Sequence, residues 1–473
     1  MTVPTATPFA SSILLLACYE LGHQPLSLAW PLAYLADAGV DAVAQDLSLQ
    51  ALDPALVAQA GFVGIAVPMH TALRLGVQTA RRVRRINPDA HICFYGLYAW
   101  MNREYLLGSN QGSSASVADS VLAGETEQTL TALAQALLRG ENAATVPGVT
   151  TAARQADPIL NRLVFPLPRR AALPDLGKYA RYMDNGTAYP AGYVEASRGC
   201  LHTCRHCPVV PIYNGRFFIV PVETVLADIR QQVMAGAQHI TFGDPDFLNG
   251  PGHARKLAQA LHAEFPDVSF DFTTKVEHIL AHGELLAELA TLGASFVVSA
   301  FESPSDHVLG RLEKGHTAAD MDAALVILDR AGLTVQPTLV AFTPWTTLDD
   351  YLTLLTWMRT RRLIAHVPAV QLSVRLLVPP GSALLDQPDT ATWIGALDAA
   401  NFTYTWHHPD PRMDDLHGQV SAIAEAAGDD DVYTTFRRIE QVAFGLAGHT
   451  PPLWQPPSPL PKPPPRLTED WFC

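Results

Sequence analysis

Short apolar runs alternate along this chain with stretches whose apolar residues recur every three or four positions, and the alternation occurs in two separate blocks. In the first block, runs at 13–17, 40–46, 62–67 and 91–95 have the length of buried strands, 26–38, 72–86 and 128–138 carry helical periodicity, and 120–123 leads into the last of these helices. Gly39 stops the first of these helices. Arg74, Arg81, Arg82, Arg84 and Arg85 mark the solvated face of the second. Strands separated by helices predict a parallel sheet covered on both faces, with ligands gathering beyond the carboxyl ends of the strands. The rhythm breaks over 144–190, where Pro147, Pro158, Pro166, Pro168, Pro174 and Pro190 interrupt any long element, so this stretch reads as a linker, with Arg169 and Arg170 at its surface.

The second block, 191–380, predicts strands at 192–197, 239–243, 268–273, 296–301, 334–341 and 370–376. Helices over 222–234, 253–264, 285–292, 321–330 and 348–359 separate them. Six such units make a partial (β/α)6 barrel, whose chemistry belongs at the carboxyl-end mouth. Residues 381–450 predict a mostly helical segment. The tail, 451–473, packs nine prolines into 451–466 and reads as an extended, semi-rigid arm.

Composition narrows the function classes. With 48% hydrophobic and 16% charged residues, the 473-residue chain can bury a large core; its net charge of -14 and lack of a basic stripe argue against nucleic acid as a partner. No apolar run reaches the roughly 18 residues of a membrane span, no basic segment precedes the apolar patch near the N-terminus, and the six scattered cysteines form no disulfide framework. A cytoplasmic protein is the expectation.

Half of those cysteines lie in one stretch, EASRGCLHTCRHCP, residues 195–208. Cys200, Cys204 and Cys207 form Cys-x3-Cys-x2-Cys on a loop after a strand-like run. Three close thiolates can hold three corners of an iron–sulfur cube and leave one iron open. Zinc is the competing reading, with His202 or His206 as a fourth ligand, but the chain has no partner Cys-x2-Cys pair. A second His- and Asp-rich run, WHHPDPRMDDLHG at 406–418, lacks helical-face spacing for a metal site.

This cysteine spacing just after a barrel's first strand resembles the radical S-adenosylmethionine (SAM) superfamily, with His206 where many members have an aromatic residue. The resemblance implies a 4Fe-4S cluster on Cys200, Cys204 and Cys207, with SAM chelated on the open iron. It also implies SAM contacts from Gly243 and Asp244 after strand two, from Glu302 after strand four, and from Arg375 in strand six. An Arg within a buried strand needs a carboxylate partner, from SAM or from a neighbouring acid. The first block, 1–143, resembles the cobalamin-binding domain found ahead of many such barrels, with Gly124-Glu125-Thr126-Glu127 in place of a Gly-Glu-Gly-Glu motif. The Asp-x-His-x-x-Gly motif of many B12 proteins is absent, and His23 and His70 do not replace it. Both a cobalamin-binding and a ligand-free domain stay open. The fold class is therefore α/β: an N-terminal Rossmann-like, cobalamin-binding-like domain, a central partial (β/α)6 radical SAM barrel, and a helical C-terminal segment with a Pro-rich tail.

The tail ends in Trp-Phe-Cys473. Together with QLSVRLLVPPGS and Asp-Pro-Arg-Met-Asp, it resembles radical SAM proteins with a CUAEP/CCAEP tail. That likeness implies a UGA codon read as selenocysteine after Cys473, and Cys473 as a catalytic thiol for a soft element or substrate. The expected function is a radical SAM enzyme that cleaves SAM to modify a small molecule or natural-product intermediate. Methyl transfer, radical rearrangement and 3-amino-3-carboxypropyl transfer, the last linked in tail-bearing relatives to organoarsenic products, are the candidate reactions. A flavodoxin or ferredoxin would supply the electron. The competing class is a non-catalytic iron–sulfur redox or metal-sensing protein.

Overall fold

The computed structural model describes residues 12–108, 116–428 and 430–469. The first block folds as a parallel five-stranded sheet: β1 (Ser12–Ala17), β2 (Ala42–Asp46), β3 (Ala60–Ala66), β4 (His91–Tyr95) and β5 (Ser120–Leu122), in the order 2-1-3-4-5. This is a doubly wound order whose switch point lies between β1 and β3. β3 is buried along its whole length, as a strand covered on both faces must be. The helices Leu26–Asp37, His70–Ile86 and Glu127–Leu138 supply the cover, and Thr79, Ala80 and Val83 of the second face inward while its arginines stay outside.

The second sheet has seven strands. β6 (Arg181–Asp184) and β7 (Thr187–Val194) form a hairpin; β8 (Ser197–Gly199) and β9 (Phe217–Ile219) form a small separate ladder around the cysteine loop. β10 (His239–Phe242), β11 (Ser269–Thr273), β12 (Ala294–Glu302) and β13 (Thr334–Leu339) run parallel to β7. The helices Val222–Met234, Pro251–Glu264, Gly283–Thr291, Ala318–Ala331 and Leu348–Thr360 cover the outside. Capping boxes at Thr317 with Asp320 and Thr347 with Asp350 start the last two, each satisfying otherwise orphaned backbone donors.

The sequence expectation needs correcting in three places. The sixth strand, 370–376, is instead a 3-10 turn, Ala369–Ser373, followed by a single parallel bridge of Arg375 to Phe342. Phe342 N donates to Val374 O, and Leu376 N donates to Phe342 O, so the segment keeps the sixth position of the barrel without a ladder. Pro368 before it and Pro379 and Pro380 after it leave little room for strand pairing. The linker ends earlier than residue 190, because 181–190 belongs to the β6–β7 hairpin. Its Arg170 is buried, not at the surface: the guanidinium pairs with Asp228 at 2.8 Å and donates to the carbonyls of Gln24 and Tyr193. The C-terminal segment is mostly helical, as expected. It adds a hairpin, β14 (Ile394–Asp398) and β15 (Thr403–Trp406), before helices Pro411–Ala426 and Val432–Leu446. Phe402 at the hairpin tip enters the core of the first domain, edge-on to Tyr105 at 5.0 Å.

The proline arm returns to the protein. Trp454 Nε1 donates to Glu440, and β16 (Arg466–Leu467) pairs antiparallel with β6. Glu469 accepts from the Tyr19 hydroxyl at 2.5 Å, just past the carboxyl end of β1. Cys473 lies outside the described residues. Among those described, no helix is long and apolar enough to cross a membrane.

One buried cation joins the two sheets. Arg198, on β8, contacts Glu127 at 2.6 Å, Glu195 at 3.0 Å and Glu125 at 3.2 Å, and Glu125 also accepts from the Tyr213 hydroxyl. Removing one partner of a buried charge cluster leaves the others uncompensated, at a cost of about 3–5 kcal/mol. Arg198→Met should accordingly bring the urea unfolding transition to distinctly lower denaturant, and an unchanged transition would show that the seam contributes nothing.

Candidate functional site

The cysteine loop lies where the carboxyl ends of the two sheets meet. Cys200 and Cys204 are buried and Cys207 is half-buried; none forms a disulfide. Leu97 and Trp100, from the turn after β4 of the first domain, pack with Leu160 and Phe218 against Cys200, Cys207, Val209 and Tyr213. The loop's shape is set locally. Gly199 has φ +76°, and a Cβ there would lie 2.4 Å from the Arg216 carbonyl oxygen, so only glycine fits. The Cys207 amide donates to the Cys204 carbonyl, folding the last ligands into one turn. The Cys200 sulfur receives the His202 amide at 3.5 Å, and Asn249 contacts both that sulfur and the Leu201 amide.

Burial pushes the Cys207 thiol up to about 12, and raises Cys200 as well. A bound metal cation would favour the thiolate form at these positions. His206, one of the two suggested zinc ligands, is turned to Glu302 instead. The donor set fits a 4Fe-4S cluster with one iron lacking a protein ligand.

Glu302 ends β12 with φ +62° at a bulge, and its Oε1 accepts from Lys314 at 2.9 Å and from His206 at 3.2 Å. Burial alone would raise this carboxyl, yet Lys314 and His206 together hold it well below the usual carboxylate range. Both donors use Oε1, and Oε2 takes neither. Lys314, itself buried, also stands in the field of Cys204 and Cys207.

The other expected contacts are placed differently. Asp244 is completely engaged with the loop base: it accepts from Ala196 N at 2.9 Å and from Ser197 Oγ at 2.5 Å, and burial raises its carboxyl to about 7. Gly243 has no room for a side chain, since a Cβ would lie 2.0 Å from Tyr193 Oη. Both residues hold β7 to β10 and so fix the direction of the cluster loop. Arg375 finds its carboxylate in a neighbouring acid, Asp414 at 2.7 Å; it also donates to the Trp406 carbonyl and stacks 3.7 Å above the Trp406 ring. It ties the barrel to the C-terminal hairpin and helix. That pairing also removes Asp414 from any metal site in the 406–418 run. Sequence reasoning did not single out Lys314 or His278; a lone Lys or His in a loop carries no spacing signal.

In the first domain, the Gly124 turn is closed by its own chain: Glu125 N donates to the Ile159 carbonyl at 2.7 Å, and a Cβ on Gly124 would lie 2.1 Å from that oxygen. Glu125 and Glu127 are engaged by Arg198. His23 stacks on Tyr193 at 4.4 Å, and His70 Nε2 meets the Asn401 carbonyl at 2.7 Å. Neither imidazole is placed as a cobalt ligand.

Residues 194–354 match the Radical SAM superfamily. The chain carries a radical SAM domain. A domain of this kind takes a 4Fe-4S cluster and SAM, which agrees with the thiol trio. Two curated relatives are the tRNA-2-methylthio-N(6)-dimethylallyladenosine synthase of Fusobacterium nucleatum, 24% identical over 178 residues, and a protein of Methanocaldococcus jannaschii named as a methylthiotransferase, 23% identical over 174 residues. Each alignment takes in 34% of this chain and spans only 38% and 37% of the relatives' lengths. The cobalamin-dependent radical SAM enzyme OxsB, solved with aqua-cobalamin, superposes with a TM-score of 0.69 at 15% identity, covering 92% of this chain and 72% of its own. The radical SAM methyltransferase TsrM from Kitasatospora setae, solved with cobalamin and a [4Fe-4S] cluster, gives 0.64 at 14% identity, covering 93% and 99%. At such identities the likeness shows the fold alone: an N-terminal Rossmann-like domain ahead of the radical SAM domain.

The Lys314–Glu302 pair yields a pH test. Because the folded carboxyl titrates below its unfolded value of ~4.3, the pair's contribution is complete above that value and is lost as pH falls through the folded one. Glu302→Gln strands Lys314 and should cost about 3–5 kcal/mol at neutral pH while flattening the acid limb of stability. Urea titrations between pH 3 and 7 that superimpose for the two proteins would contradict this.

Proposed function

We propose that this protein is a radical SAM enzyme that cleaves SAM reductively on a cluster held by Cys200, Cys204 and Cys207, and that it modifies a small-molecule substrate. The supporting observation is the thiol trio itself: Cys200 and Cys204 buried, Cys207 half-buried, all unbridged, and positioned at the carboxyl-end mouth of a radical SAM domain. When bound, the cluster supplies one electron to the SAM sulfonium and so opens a carbon–sulfur bond. The chain's own residues prepare that event. Asp244 and Gly243 orient the loop, Leu97 and Trp100 shield it from water, and Lys314 places a fixed positive charge beside Cys204 and Cys207 that offsets part of the cluster's negative charge. The second Glu302 oxygen supports the reading that it accepts from a SAM ribose hydroxyl.

Methyl transfer and 3-amino-3-carboxypropyl transfer remain the two candidate reactions. The Methanocaldococcus jannaschii relative is named as a methylthiotransferase and TsrM as a methyltransferase, which favours group transfer over rearrangement. The steps assigned here to this chain's residues need no cobalamin. We further propose a flavodoxin- or ferredoxin-type reductant, a cytoplasmic setting, and Cys473 as a soft thiol serving the substrate. The Tyr19–Glu469 contact, which brings the arm to the carboxyl edge of the first sheet, supports that last assignment.

Anaerobically reconstituted protein should carry about four irons per chain. With SAM and dithionite it should release 5′-deoxyadenosine, methylthioadenosine or methionine, read by mass spectrometry. Cys200→Ala, Cys204→Ala and Cys207→Ala should each bring product to background. Full iron loading with none of these products would favour the non-catalytic redox reading instead.

A further inference from the structure

Beside the cysteine loop, three side chains from three different segments converge on one point. His202 comes from the loop itself, Asp246 from the turn after β10, and His278 from the helix Val276–Ala281 after β11. His278 Nδ1 lies 2.9 Å and His202 Nε2 3.6 Å from Asp246 Oδ2, and all three atoms fall within 4.8 Å of one another. None of the three makes a hydrogen bond, although all are shielded from solvent and Asp246 is completely buried. The 2.9 Å contact is misdirected for an N–H donor. Three buried, unsatisfied donors aimed at a common centre would be costly unless something fills it.

From this arrangement we propose a mononuclear divalent-metal site, of the zinc(II) or iron(II) class, with His202 Nε2, Asp246 Oδ2 and His278 Nδ1 as ligands. The spacing fits: bonds of 2.0–2.2 Å give ligand edges of ~2.9 Å in octahedral and ~3.4 Å in tetrahedral geometry. Two imidazoles and one carboxylate leave coordination positions open. The orienting partners are also present. Asp246 Oδ1 accepts from Leu248 N at 3.1 Å and Thr274 Oγ1 at 2.8 Å, which fixes the carboxylate; His202 Nδ1 faces Glu277 Oε2 at 3.5 Å, the outer carboxylate that orients a metal-bound histidine. Glu277 is paired with Lys275, so this partner adds no net charge. His202 lies two residues from Cys200, whose sulfur accepts its amide. A metal here would stand at the barrel mouth next to the cluster, where its open positions could anchor an oxygen- or nitrogen-bearing substrate group.

The test uses full-length, cluster-reconstituted protein incubated with zinc chloride, desalted, and assayed for zinc and iron by mass spectrometry, with zinc-edge X-ray absorption. The expected result is about one zinc per chain, ligated by nitrogen and oxygen at ~2.0–2.1 Å without sulfur. His278→Ala, which lies outside the cluster loop, and His202→Ala should each cut bound zinc at least tenfold with iron unchanged, and Glu277→Gln should weaken zinc binding about tenfold. Zinc that is absent, equally retained by His278→Ala, bound through sulfur, or displaced mole for mole by SAM would overturn the assignment. The last result would make these donors part of the SAM pocket.

Discussion

The architecture turns on Arg198. Its guanidinium is buried between Glu195 of its own loop and Glu125 and Glu127 of the first domain, with the rings of Phe165 and Trp30 at 5.1 and 5.7 Å. Burial works against its charge, but three carboxylates hold it cationic, and burial pushes Glu125 and Glu195 upward in turn. Such a cluster contributes less to stability than to uniqueness of arrangement, because only one docking of the two sheets satisfies all four charges. The cysteine loop begins two residues after Arg198. Fixing the guanidinium therefore fixes the loop's origin against both domains.

From that origin the site is built by backbone constraint more than by side-chain abundance. Asp244 grips the loop base, Tyr193 excludes a side chain at Gly243, and the Arg216 carbonyl excludes one at Gly199. On the opposite wall, the strained Glu302 backbone aims its carboxylate at Lys314 and His206. Strain of this kind persists only where surrounding contacts over-determine it. Here the reward is a matched buried ion pair directly beside the thiols. The proline arm has a comparable function at longer range: its prolines lower the cost of ordering it, and β16 then anchors it to the exposed edge of β6, covering what would otherwise be an open strand.

Much of this was legible in the chain. The first four strands of the first domain and the helices between them fall where hydrophobic period placed them, and Cys-x3-Cys-x2-Cys singled out three cysteines that the structure holds on one loop. Period is a local property, and so is ligand spacing within eight residues. The errors lie where a residue's environment is made by distant chain. The 370–376 run looked like a strand because it is apolar, yet prolines on both sides leave it a single bridge. Arg170 looked like surface because it lies in a proline-broken linker, yet Asp228 waits 58 residues on. Arg375 was rightly judged to need an acid, but sequence offered no means of choosing Asp414 over a ligand.

The sequence by itself determined two α/β domains, the order of their elements, and three sulfurs able to hold iron. Each follows from interactions among residues near one another along the chain. Only the tertiary structure decided which charges neutralise which, that Gly243 and Asp244 shape the loop, and that His202, Asp246 and His278 share a centre. Those outcomes depend on side chains from separate strand ends arriving at one place, and that convergence is created by the closure of the barrel rather than by any stretch of it.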